Sequence, residues 1–149
     1  MENSNKFFDF ACGLLSKRDY FTEELRQKII AKGATAEETG LVMEKLIKFN
    51  YLDDSRVLEK YVSEIAAKGK GINYLKQKLY EKGCASLLSS YNMLDFYPFE
   101  KECAAAEKAL SKIGECEDTK LVSKLVSRGF SFSAALIAVK KRKKSDFLD

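Results

Sequence analysis

The stretch LRQKIIAKG, residues 25–33, decides the fold because the chain repeats it: LKQKLYEKG stands at residues 75–83 and LVSKLVSRG at 121–129. Each copy has a leucine, two variable residues, a lysine, an apolar pair, one further position, a basic residue and a glycine. Self-similarity of this kind marks a tandem array. The leading leucines, Leu25, Leu75 and Leu121, are 50 and 46 positions apart, room for about three short helices per unit at ordinary helix and loop lengths. A glycine just past an apolar run is the usual end of a helix, so each copy reads as one helix of a three-helix unit.

The flanks extend this pattern. Phe7, Phe10, Ala11, Leu14 and Leu15 fall on one helical stripe, the first helix of unit one. The second opens near Thr22, where Glu23 and Glu24 suit the positive end of the dipole. TAEE at 35–38 has the form of a capping box, and the third helix then buries Val42, Leu46 and Phe49. NYLDDSR at 50–56 is the joint: Tyr51 and Leu52 pack between units, and an aspartate, Asp53 or Asp54, caps the next helix. Leu58, Tyr61, Val62 and Ile65 form the opening stripe of unit two, which KGKG at 68–71 interrupts. SLLSSYNML at 86–94 carries its third helix. Pro98 belongs in the first turn of the following helix, and unit three closes with SFSAALIAVKK, capped by Ser131 or Ser133. The expected repeats span 1–52, 53–97 and 98–141, with a basic C-terminal tail at 142–149.

Composition agrees with an all-α fold. The 149 residues include one proline and eight glycines, with 46% apolar and 32% charged side chains, a globular mixture poor in turn formers. No apolar run approaches the length that spans a bilayer, and the N-terminus lacks the form of a signal peptide, so the expected location is cytoplasmic. There is no histidine, which removes the commonest general base and every Ser-His or Cys-His nucleophile. Cys12, Cys84, Cys103 and Cys116 form no CxxC pair and read as idle thiols. Neither an enzyme nor a metal or cofactor site is expected.

The net charge of +4 permits an acidic partner or nucleic acid without requiring either. Lys28, Lys78 and Lys124 occupy matching positions in the repeat, as do Lys32, Lys82 and Arg128 four residues on. If the units stack, these six line one surface. The second set also suits the negative end of the helix dipole, and either set can lie along the core edge. Lys140, Lys141 and Arg142 begin the run KKRKK, which attracts polyanions or simply solubilises; Phe147 and Leu148 beyond it read as a tail able to dock. Tyr74 and Tyr80 allow base stacking, with core packing as the plainer reading. A helix-turn-helix reading fails, since the third helices open with Glu37 and Glu38 or with Leu87 and Leu88, not with base-reading side chains.

Taken in order, LLSKRDYFTEELRQKIIAKG, LIKFNYLDDSR, KGKGINYLKQKL and LVSRGFS resemble the RecX regulatory proteins of bacteria over roughly residues 10–140. After KGKG that family usually continues with Pro and Arg, where this chain has Ile72, Asn73 and Tyr74. The resemblance implies three tandem three-helix repeats in an elongated, curved array of right-handed helices. It also implies a monomeric non-enzyme that lodges in the groove of the RecA filament on DNA and modulates, usually inhibits, its recombinase, ATPase and co-protease activities. That would place the chain in DNA recombination, repair and the SOS response. The rival reading is a free-standing, non-sequence-specific DNA-binding helical repeat protein.

Overall fold

The computed structural model describes residues 2–148, and side chains for residues 5–144. All ten elements are α-helices, and no strand occurs among the described residues. They follow in threes: α1 (Glu2–Lys17), α2 (Thr22–Ala31) and α3 (Ala36–Lys48); α4 (Asp54–Ala67), α5 (Ile72–Glu81) and a third helix in two pieces, α6 (Ser86–Ser90) and α7 (Met93–Phe96); then α8 (Phe99–Leu110), α9 (Asp118–Ser127) and α10 (Phe132–Leu148). Cα packing divides the chain into two units, residues 1–59 and 60–149, with the border inside α4.

The repeated stretch becomes α2, α5 and α9, each ten residues long. Leu25, Leu75 and Leu121 sit fourth and Lys28, Lys78 and Lys124 seventh in their helices, while Lys32, Lys82 and Arg128 are the C-caps. Gly33, Gly83 and Gly129 follow with positive φ. In each turn the glycine N–H and the next N–H bond back to the last carbonyls, as Gly33 does to Ile30 (3.0 Å) and Ala34 to Ile29 (3.4 Å). That closes otherwise unpaired helix-end acceptors. α3 ends in the same turn with Asn50, at φ 57°, in the glycine's place.

The first unit packs around Phe7, Ala11, Tyr20, Leu25, Ile29, Val42, Met43 and Leu46, with Phe10, Leu14, Leu15 and Leu52 partly buried against them. Thr35 and Glu38 form the expected capping box, each side chain accepting the other's backbone N–H at 3.1 and 3.0 Å. Phe49 corrects the expected core. It is 48% exposed, standing as the C-cap just past the end of α3 at Lys48. Its ring lies between Phe8 (6.4 Å between centroids) and a half-exposed Tyr51 (5.7 Å).

The two aspartates divide the capping between two helices. Asp53 caps α4, accepting the Arg56 N–H at 3.2 Å. Asp54 Oδ1 instead accepts the backbone N–H and hydroxyl of Thr22 at 2.7 and 3.0 Å, so the first residue of α4 closes the start of α2. Replacing either residue by Ala is expected to cost about 0.5–2 kcal/mol, measured by urea denaturation. Stability equal to wild type in both variants would remove the capping roles.

In the second unit, α8 and α10 make the most extensive helix contact. Both bury small residues, Ala105, Ala106 and Ala109 on α8 and Ala134, Ala135 and Ala138 on α10, so their backbones can approach closely. Ser131, not Ser133, caps α10: its hydroxyl accepts the Ala134 N–H at 3.3 Å. Pro98 stands one residue earlier than expected, as the N-cap of α8 at ψ 155°, where its missing N–H is equally harmless. The expected helix over 86–94 breaks at Tyr91, which is extended, and Asn92, whose side chain accepts the Leu94 N–H at 3.1 Å and starts α7. Residues 140–144 continue α10; the side chains of Phe147 and Leu148 lie outside the described residues. No helix among the described residues is long and apolar enough to cross a membrane.

Candidate binding surface

Within the second unit, KGKG and RGFS dock on one another. Gly71 N–H donates to the Arg128 carbonyl (3.1 Å) and Asn73 N–H to that of Gly129 (2.8 Å). Beneath this seam lies Glu102, 2% exposed. Its Oε2 accepts the N–H of Ile72 and of Ser131, both at 3.0 Å, and its Oε1 the Ser131 hydroxyl at 2.7 Å. One carboxylate thereby satisfies the first N–H of α5 and the cap residue of α10, where helix dipoles favour negative charge. The fully buried Tyr97 donates its hydroxyl to the Lys70 carbonyl at 2.7 Å. Burial, and next the Glu102 charge, raise its pKa well above the ordinary tyrosine range, so it stays a neutral donor.

This seam sets where the cations of the second unit project. Tyr74 packs on Gly129, and the ammoniums of Lys70 and Lys78 lie 5.2 and 5.3 Å from its ring centroid. Lys78 also pairs with Glu81 at 3.1 Å. That carboxylate, by hydrogen bond and charge, holds the exposed ammonium above its usual pKa. Lys124 is exposed and has no ion pair among the described residues, and the half-buried Arg128 joins the group through its backbone bond to Gly71. Lys82 lies over Tyr61 at 5.4 Å. In the first unit Lys28 is exposed and has no ion pair among the described residues, while Lys32 lies 5.2 Å over Phe10.

The basic run is engaged by its own unit. Lys141 pairs with Glu107 (3.0 Å), Lys143 with Asp118 (3.3 Å), and Arg142 donates to the Leu110 carbonyl at the end of α8 (3.0 Å). Lys140, the other sequence-selected cation there, is exposed and has no ion pair among the described residues. Lys141 and Arg142 line a groove of about 330 Å³ with Glu107, Leu110 and Ala138. These exposed pairs contribute little stability, but they lower the local positive charge that the sequence suggests.

Sequence reasoning missed Glu102, Tyr97 and Lys70. A lone glutamate in FEKECAAA looks like a solvent-facing helix residue, and only its position four residues past Pro98, after the acid Glu100, hints at a capping role. The thiols of Cys12 and Cys103 have pKa values raised by burial and then by neighbouring carboxylates, Asp9 beside the first and Glu102 beside the second. Both therefore stay protonated and weakly nucleophilic.

No protein-family model matches the chain. Among curated proteins, the regulatory protein RecX of Vibrio parahaemolyticus is 33% identical over 127 residues, covering 82% of each chain. That of Vibrio cholerae is 33% identical over 128 residues, covering 82% of this chain and 84% of its own. The RecX of Streptococcus gordonii is 28% identical over 130 residues, which are 83% of this chain but 50% of that longer protein. Among solved structures, RecX from Lactobacillus salivarius superposes with a TM-score of 0.81 over 94% of this chain and 96% of its own, at 18% identity. The fold is thus shared where most side chains have changed, as expected when helix caps and seams rather than individual surface residues define an array.

Proposed function

Since this chain belongs to the family of RecX regulatory proteins, we propose that it acts in the cytoplasm on the RecA recombinase, binding the RecA filament on DNA and inhibiting strand exchange, ATPase and co-protease activity. The proposed repeats are residues 1–52, 53–97 and 98–141, with 142–149 as a basic tail. The protein acts as a monomer, and its mechanism is steric and electrostatic: it bridges neighbouring protomers and impedes filament growth. The observation that carries this reading is the placing of Lys28, Lys78 and Lys124 at the seventh position of three equal helices. A repeated polymer is matched by a repeated charge. Lys32, Lys82, Arg128, Lys140, Lys141 and Arg142 supply further contacts, the first three also serving as helix C-caps.

The test is RecA-driven strand exchange on single-stranded DNA with increasing amounts of protein. Wild type is expected to inhibit near equimolar RecA. Reversing the charges at 28, 78 and 124 together is expected to raise the half-inhibiting concentration about tenfold. Undiminished inhibition by the triple variant would sink the stripe; no effect of wild type would sink the RecA reading itself.

A further inference from the structure

Three aromatic rings form a strip on the surface of the first unit. Phe8 on α1 meets Phe49 just past α3, and Phe49 meets Tyr51, with ring centroids 6.4 and 5.7 Å apart. Phe49 and Tyr51 are each about half exposed, as is Leu41. Scattered exposed apolar residues are ordinary, and Tyr80 on α5 is one: it is exposed, against the core-packing reading, but the other exposed positions of α5, Asn73, Lys76, Gln77 and Glu81, are all polar. The strip differs because its apolar groups adjoin, which is the mark of a contact surface. Nor does the turn that ends α3 need the rings. The backbone N–H groups of Asn50 and Tyr51 close it, donating to the Ile47 and Leu46 carbonyls at 3.0 Å each.

Leu41, Lys45 and Phe49 stand four residues apart, so they follow one another along one side of α3 in the order apolar, cationic, apolar, with about 6 Å of rise between neighbours. The Lys45 ammonium lies 4.3 Å from the centre of the Phe8 ring, and Lys48 is exposed one turn further on. Neither lysine makes an ion pair among the described residues. The adjacent acids, Asp9 next to Phe8 and Glu44 next to Lys45, are each about 100° round their helices from those residues. A partner complementary to this pattern carries two apolar side chains about 12 Å apart with a carboxylate between them. The rings stand at 63° and 41° to one another, so they enclose corners for side chains and lack the parallel faces on which successive bases stack. We infer that this strip docks an acidic segment of a partner protein, whose apolar side chains pack on Leu41 and on Phe49 with Tyr51 while its carboxylate meets Lys45, with Lys48 at the rim. This goes beyond the regulatory reading, since it uses none of the matching cations and stands without the recombinase.

The test is selection from a random phage-displayed dodecapeptide library on the immobilised full chain, with recombinase and DNA absent, followed by fluorescence anisotropy of the enriched peptides. The expected consensus has two apolar positions with Asp or Glu between them. Leu41→Gln and Phe49→Ala are each expected to weaken peptide binding about tenfold. Lys45→Glu is expected to weaken it by a similar factor, and a peptide whose central acid is changed to Lys should regain affinity for that variant. A general loss of structure would not produce such a swap. Circular dichroism and thermal melting check each variant, and the exposed Leu41→Gln keeps the test decisive if Phe49→Ala does not fold. Failure to enrich any consensus, a consensus without the acid, binding that survives Leu41→Gln and Lys45→Glu, or displacement of the peptide by an oligo-dT strand would overturn the inference. Because RecA is absent, a failure here leaves the regulatory reading standing, and a failure to inhibit RecA leaves this inference standing.

Discussion

Gly71→Ala and Gly129→Ala are each expected to destabilise the protein by about 3 kcal/mol or more, while Gly83→Ala costs about 1–2 kcal/mol. The reason is what the added methyl meets. At Gly71 a Cβ would stand 2.3 Å from the Phe130 Cα and 2.4 Å from its nitrogen; at Gly129 it would stand 2.5 Å from both the nitrogen and the Cβ of Tyr74. Backbone cannot turn aside as a flexible side chain can, so the two segments must separate. They would then lose the Gly71 to Arg128 and Asn73 to Gly129 bonds. Gly129 also carries φ +91°. Gly83 shares the positive φ, at 75°, but a methyl there meets nothing within 4 Å, which makes it the control for backbone strain alone. Urea midpoints with unchanged slope measure the difference. If Gly71→Ala proved as stable as wild type, the close approach would not exist in solution.

This contrast bears on what the sequence could reveal. The repeated block located three helices and their ends, because apolar spacing, a terminal cation and a stop glycine all act within ten positions, although each helix begins three residues before its block. The capping box at Thr35 and the cap at Asp53 were equally local. Phe49 was misplaced because a stripe of period 3.6 does not say where the helix stops, and the stop at Lys48 depends on Asn50 accepting positive φ. The break between α6 and α7 was missed since Asn92 acts as a cap only once Tyr91 is extended. Of the candidate surface, matching lysines were legible because they repeat. The ion pairs of Lys141 and Lys143 were not, because Glu107 and Asp118 come near only after α8, α9 and α10 pack. KGKG and RGFS, which carry much of the family resemblance, are glycine-bearing segments that hold each other. In this chain their glycines therefore answer to the fold before any partner.

The carboxylate under that seam leads to the second large effect. Glu102→Ala is expected to cost about 3–5 kcal/mol, since it leaves the Ile72 and Ser131 N–H groups and the Ser131 hydroxyl without their acceptor, at about 1–3 kcal/mol for each buried unsatisfied group. Glu102→Gln is expected to cost only about 1–2 kcal/mol. Its amide oxygen can take the Oε2 position and receive both N–H donors, while its NH₂ donates to a reoriented Ser131 hydroxyl. The order of the two variants is the point: a merely space-filling role would make the near-isosteric Gln neutral and Ala a simple cavity mutant. Amide hydrogen exchange separates these, because protection at Ile72 and Ser131 should fall first in Glu102→Ala. The same logic appears in the first unit, where Asp54 at the start of α4 accepts the first N–H of α2, as Glu102 near the start of α8 accepts the first N–H of α5. In both, an acid from the opening helix of one repeat closes the second helix of the repeat before it. A Glu102→Ala protein as stable as wild type would refute this as the rule that joins the repeats.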